Sequence, residues 1–299
     1  MEPFQLKAEN KEVKASNKGS TEQTSDNDTT LFLLNGWMEK HEGLSAGFTG
    51  RHGGVSREPW HTLNLGLHVG DEDADVIKNR QLVAESLGWS FDAWTCGEQV
   101  HGSRAVKVTS AERGKGRFSL QDTLLGCDAL VTDVKGVLLT SLYADCVPLY
   151  FYDPVNEAIG LAHAGWRGTA GAIAQTTIDL MAREYGSSPN DMLAAVGPAI
   201  GACCYEVDGP VIEQMAKLIE GMELEPTAAH EAMELSTDGK ARLNLKEINR
   251  QIMIKAGILP SRIELSKWCT GCRCDLFYSH RMEGGKTGRM ASFLGMAER

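Results

Sequence analysis

A thiol and an imidazole bracket one short apolar stretch of this chain. Asp145-Cys146-Val147-Pro148 opens it, and His163-Ala164-Gly165-Trp166-Arg167-Gly168 closes it. Between them lie Leu149 to Tyr152, a turn signal at Asp153 to Asn156, and Ala158 to Ala162. Two apolar runs joined by a tight turn predict a β-hairpin, which would carry His163 back toward Cys146. A thiolate meeting an imidazole is either part of a metal site or a nucleophile with its base. Simple burial of a Cys and a core His is the third reading of the same pair. Beyond His163, Ile173, Thr177, Leu180 and Met181 share one face of a helix predicted from Thr169 to Tyr185. Gly165 to Gly168 would then lead into a helix N-terminus, whose free N–H groups favour an anion, and Arg167 adds a forked cation.

The elements that must hold this pair alternate between strand and helix, which argues an α/β fold. Strand-like runs occur at Leu31 to Leu34, Ala105 to Val108, Cys127 to Asp133, Val137 to Leu142 and Met192 to Val196. Helices are predicted for Asp73 to Leu87, Val211 to Ile219 and Leu245 to Ala256. Residues 1–30 are polar and charged with hardly an apolar residue, so they are expected to be a disordered tail without a catalytic part. Residues 31–299 are expected to form one catalytic domain. The 299 residues are 42% hydrophobic, and no apolar run is long enough for a membrane span. No secretion signal opens the chain, so its eight cysteines are expected to be reduced, in the cytoplasm. A net charge of -10 disfavours nucleic acid as a partner. Nothing points to an obligate protein partner.

Other polar residues carry weaker signals. Arg51 and His52 stand at the lip of Gly53-Gly54, where a backbone can approach a ligand closely. Asn79-Arg80 reads as helix surface. His101, taken alone, reads as structural. Cys269-Thr-Gly-Cys272-Arg-Cys274 lacks a nearby cysteine pair to complete a tetrahedral set, and Cys203-Cys204 reads as packing, so a separate structural zinc is disfavoured. Arg281 and Arg289 are candidate anion contacts.

Several segments in order resemble one family: Arg51-His-Gly-Gly-Val-Ser56, Gln99-Val-His101-Gly102, Cys127-Asp128-Ala-Leu-Val-Thr132, Ala144-Asp145-Cys146-Val-Pro148, His163 to Thr169, Val196-Gly-Pro198-Ala-Ile200, Tyr205-Glu-Val207, and Tyr278-Ser-His-Arg281 with Thr287-Gly-Arg289. From Leu31 to Leu294 the chain is similar to the YfiH-type family. That group carries the labels multicopper polyphenol oxidase, or laccase domain, and peptidoglycan editing factor. The resemblance implies a single mixed-sheet α/β/β/α domain holding one zinc ion. The family's ligands fall on His101, Cys146 and His163, and three protein ligands leave a position open for chemistry. It further implies phosphorolysis of adenosine, inosine and methylthioadenosine, and deamination of adenosine. The oxidase label needs several coppers, for which this chain has too few clustered histidines. One departure stands out: where the family often has Arg-Arg-Asp near its end, this chain has Arg281-Met282-Glu283.

On that reading zinc activates water toward C6 of adenine. Arg51, Arg167, Arg281 and Arg289 are the candidates to hold phosphate beneath the ribose C1′. Asp145 is expected to orient a ligand histidine or to serve as acid and base. A second reading makes Cys146 the nucleophile and His163 its base in an amide hydrolase or deamidase, suited to editing peptidoglycan precursors; the family fold resembles that of cytotoxic necrotizing factor deamidases. A third makes the protein a purine or metal binder without turnover.

Overall fold

The computed structural model describes residues 1–7 and 28–298. Two six-stranded sheets face each other. The first runs Phe4–Leu6, Leu31–Leu34, Leu44–Thr49, Met290–Met296, Leu138–Tyr143, Trp94–Cys96, and only its last pairing is parallel. The second runs Ile263–Leu265, Leu193–Val196, Val147–Asp153, Ala158–Ala164, Ala129–Thr132, Ala105–Lys107, with parallel pairings at its two edges.

Alternation along one strand shows why the sequence reads as an unbroken apolar run there. Leu149 and Phe151 pack outward against Ile173, Ile178 and Met181 of the helix Ile173–Tyr185, with Ile248 and Ile252 of the helix Leu245–Lys255. Tyr150 and Tyr152 point inward, among Phe48, Leu139, Tyr143 and Leu294 of the facing sheet. Both faces of the strand are therefore apolar, as a sheet covered on each side requires. The helix Asp73–Ser86 covers the outer face of the first sheet, with Val83 against Trp94, Leu138 and Phe293. The layers are α/β/β/α, as the resemblance implies.

The hairpin is formed as expected, with Val147 opposite Ala164 and Pro148 opposite His163. The helix after it differs. Trp166–Ala170 is a short helix, and a second begins at Ile173 after Ala172 adopts a left-handed φ of 53°. An anion cradle fed by one long helix dipole is thus replaced by a five-residue turn.

The expected tail also needs correcting at its start. Phe4–Leu6 forms an edge strand on Leu31–Leu34. Phe4 is fully buried, its ring 5.4 Å from that of Tyr150, and its carbonyl accepts a hydrogen bond from the Trp268 indole. Glu2 accepts hydrogen bonds from Ser266 and Lys267. A lone Phe in a polar segment gives no periodicity to read. The rest of the expected tail, residues 8–27, lies outside the described residues.

Candidate metal centre and active site

Strand pairing brings the central residues together. Ala129 pairs with Ala162, and the Asp128 carbonyl accepts the His163 backbone N–H at 2.7 Å. Asp128 and His163 are therefore neighbours on adjacent strands, and Asp128 Oδ1 lies 2.9 Å from His163 Nδ1. The same carboxylate accepts backbone N–H groups from His101 at 2.9 Å, Gly102 at 2.7 Å and Val100 at 3.2 Å. It so fixes the loop that carries His101, a residue held at a left-handed φ of 59°. Cys146 enters from the start of its own strand, one position before the hairpin pairing.

One ligand atom each of His101, Cys146 and His163 lies within 4.8 Å of the others. The two imidazoles meet edge to face, 4.8 Å between centroids. Gly165 leaves room for this convergence, since a Cβ there would stand 3.1 Å from both the Cys146 sulfur and the His101 ring. Burial alone would raise the Cys146 thiol. The His163 charge and hydrogen bonding with His101 and His163 outweigh it and hold the thiol down to about 6. His163, in turn, would be lowered by burial, but Cys146 and Asp128 carry it up to about 9. Both directions favour a thiolate beside an imidazolium in the metal-free pair. That charge state also suits a cation, because the thiolate is already formed and His163 Nε2 is freed when its proton leaves. Nδ1–H donated to a carboxylate is the usual support for a ligating imidazole.

This cluster sits where two cavities meet, both lined by His101, Ala144, Cys146 and His280. The larger, about 540 Å³, is also lined by His68, Arg80, Glu98, Gln99, Leu142 and Arg289. The smaller, about 220 Å³, adds Asp145, Trp166, Arg167, Tyr205 and Arg281. Burial, then the charges of Arg289 and Arg80, lower His68 to about 4, so it is a neutral hydrogen-bonding group.

The four expected phosphate arginines separate. Arg167 and Arg281 line the smaller cavity, each over an aromatic ring, Arg167 on Trp166 and Arg281 on Tyr205. Arg289 lines the larger cavity and donates to the Thr287 and Gly288 carbonyls. Arg51 lines neither. Its guanidinium donates to the Cys274 carbonyl at 2.7 Å and to Glu283 at 3.0 Å, and lies over Tyr278. Arg51 is therefore a brace for the chain end rather than an anion contact.

Asp145 does not orient a ligand histidine. Its carboxylate accepts from Thr270 Oγ1 at 2.6 Å, Ser279 Oγ at 3.1 Å and the Arg281 N–H at 2.8 Å, while Asp128 is the acceptor on His163. Asp145 holds a φ of 89° next to Cys146 and joins three segments of the wall. Asn79 and Arg80 are fully buried rather than surface. Arg80 donates to the carbonyls of Leu65, Gly116 and Arg117, and Asn79 binds Val55, Ser56, Thr62 and Asn64. Arg80 lines one side of the larger cavity. Met282, where the family's second arginine is missing, is 55% exposed and lines neither cavity. Cys203, Cys204, Cys269 and Cys272, expected apart, converge in a second cluster.

A family model described as multi-copper polyphenol oxidoreductase laccase matches residues 45–297. Purine nucleoside phosphorylase YlmD of Bacillus subtilis (strain 168) is 40% identical over 272 residues, covering 90% of this chain and 95% of that protein. A protein of the same name from Geobacillus stearothermophilus is 43% identical over 267 residues, covering 88% and 95%. The crystal structure of Bacillus licheniformis hypothetical protein YfiH matches with a TM-score of 0.84 at 44% identity, covering 91% of this chain and 97% of that one. That of YlmD from Geobacillus stearothermophilus gives 0.83 at 41% identity, covering 92% and 98%.

Proposed function

We propose that this chain, which belongs to the multi-copper polyphenol oxidoreductase laccase family in its YfiH-type branch, is a zinc-dependent purine nucleoside enzyme. One observation carries the reading: His101, Cys146 and His163 converge, braced by Asp128, at the junction of two cavities. Relatives of this chain are named purine nucleoside phosphorylases, and a nucleoside with phosphate needs two adjoining compartments.

Two imidazoles and a thiolate suit zinc or copper. No methionine lines either cavity to serve as a weak axial ligand. Among the described residues, the second cluster of potential ligands contains no histidine, so an oxidase's array of histidine-bound coppers lacks its donor set. Zinc bound by the three residues would supply Lewis-acid polarisation and, for deamination, an activated water.

The chain's own residues do the rest. The larger cavity, within the roughly 300–1,000 Å³ typical of ligand pockets, takes the purine nucleoside, with neutral His68 and Gln99 beside the base. Arg167 and Arg281 hold phosphate in the smaller cavity, with their guanidinium planes set on Trp166 and Tyr205. In phosphorolysis a phosphate oxygen bonds to C1′ as the bond from C1′ to the purine nitrogen breaks. The electron pair leaves with the purine, which takes up a proton. Adenosine, inosine and methylthioadenosine are the proposed substrates, and deamination of adenosine at C6, with loss of ammonia, is a second activity of the same centre. Arg289, which lines the larger cavity, is the proposed cationic contact to the nucleoside.

A second reading rests on the Cys146, His163 and Asp128 alignment, which is also that of a thiolate nucleophile, its base and an orienting carboxylate. It would make the protein an amide hydrolase. Incubation of zinc-verified protein with a nucleoside panel, with and without phosphate, separates the two. The proposal expects free purine and ribose 1-phosphate only when phosphate is present. Absence of any base release, with Cys146 alkylated by an amide-directed electrophile, would replace it with the second reading.

A further inference from the structure

We propose that Cys203, Cys204, Cys269 and Cys272 form a second metal site, a four-cysteine centre for a thiophilic divalent ion of the zinc class, which staples two turns behind the catalytic cavity. The inference is independent of the function proposed for the first cluster. The four sulfurs lie within 4.8 Å of one another. Cys203 is 3.5 Å from Cys269 and 3.4 Å from Cys272, and Cys204 is 3.4 Å from Cys272. A tetrahedral zinc with bonds of about 2.3 Å requires sulfur separations of about 3.8 Å. The sulfurs already stand near that figure without any disulfide among them.

Adjacent cysteines diverge on an extended strand. Here Cys203 and Cys204 sit in a turn closed by the Cys204 N–H on the Gly201 carbonyl at 3.0 Å, so both sulfurs reach the same focus. The Cys269 sulfur accepts the Gly201 N–H at 3.2 Å and a backbone donor from Cys272, an arrangement that favours a ligating thiolate. Glycines leave space for the cluster. A Cβ at Gly271 would stand 2.8 Å from the Cys204 Cβ and 3.1 Å from its sulfur, and one at Gly201 3.2 Å from the Cys203 sulfur. Lys246, only 7% exposed, donates its ammonium to the Ser266 and Trp268 carbonyls and lies within electrostatic reach of Cys269 and Cys203. Four thiolates around a divalent ion carry two net negative charges, and this ammonium offsets one of them. Cys274, the last cysteine of the run, turns away to the Thr270 and Gly271 carbonyls.

The staple has a consequence for the catalytic wall. Tyr205 follows Cys204 directly and lies under Arg281. Thr270 follows Cys269 and donates to Asp145 at 2.6 Å. An ion here would hold the turns that set Arg281 and Asp145 without touching the substrate.

Metal analysis of the full chain, purified under reducing conditions and equilibrated with zinc, provides the test. A Cys146→Ala/His163→Ala variant lacks the first centre and should retain about one zinc per chain. Its cobalt form should show the intense charge-transfer and visible bands of a tetrahedral thiolate site. Cys203→Ser/Cys272→Ser should lose that ion, and with it the four-thiolate part of the cobalt spectrum, while keeping the bands of the first centre with its single thiolate. If the serine variant fails to fold, the first variant alone decides. Zinc-equilibrated Cys146→Ala/His163→Ala protein that is metal-free, or whose four cysteines are paired as disulfides, would overturn the proposal. Zinc present in this variant with no zinc at the first centre of the parent protein would overturn the proposed function instead.

Discussion

Replacing Asp128 with Asn keeps the size of a side chain that is 2% exposed and turns one of its two oxygens into a donor. Oδ1 accepts from His163 Nδ1 and the His101 N–H, both at 2.9 Å, and Oδ2 accepts from Val100 at 3.2 Å and Gly102 at 2.7 Å. An amide can satisfy one pair only. If its oxygen faces His163, the NH2 opposes the Val100 and Gly102 donors. If it flips, His163 and His101 lose their acceptor. Two hydrogen bonds to a charged acceptor are lost either way, at about 1.5–3 kcal/mol each, so destabilisation of about 3–6 kcal/mol is expected. A ligating histidine without its orienting carboxylate typically loses about 10–100-fold in metal affinity. Chelator-competition titration gives the affinity and thermal denaturation of the metal-stripped protein gives the stability. Asp128→Asn with zinc affinity within about twofold of the parent, and an unchanged Tm, would refute the assigned role of this carboxylate.

In metal-stripped protein, alkylation of Cys146 should rise with pH through about 6, because its thiol loses its proton there. His163→Ala removes the main opposing cation, leaves only His101 against burial and should move the midpoint upward; an unmoved midpoint would contradict the pairing. Arg281→Ala should raise KM for phosphate by about tenfold or more, the equivalent of one charge-assisted hydrogen bond, with KM for nucleoside little changed. Steady-state kinetics with each substrate varied checks this. Phe4→Ala should cost about 3–5 kcal/mol, lowering Tm by several degrees, whereas a dispensable tail would give no change.

The sequence carries the hairpin because its period and its turn are local. Val147–Asp153 and Ala158–Ala164 pair where the apolar runs and the Asp153 to Asn156 turn place them. His101 is legible only through the resemblance, since a lone His in a glycine-bounded loop has no spacing relation to Cys146. Asp128 lies in one of the segments that carry the resemblance but gives no sign of its role, which depends on the register of Ala129 against Ala162. Arg80 and Asn79 fail the helix-surface reading because their burial comes from loops at residues 55–66 and 116–117, far from them in sequence. The four-cysteine cluster joins turns more than sixty residues apart, so spacing rules for metal motifs miss it.

The most direct measurement is phosphate-dependent release of base from adenosine and inosine, made alongside zinc analysis, for the parent protein and for His101→Ala, Cys146→Ala and His163→Ala. Each substitution should lower the zinc content by about one ion per chain and abolish base release in step with it. Full base release from variants that have lost that ion, or from a zinc-stripped parent, would contradict the assignment of this centre.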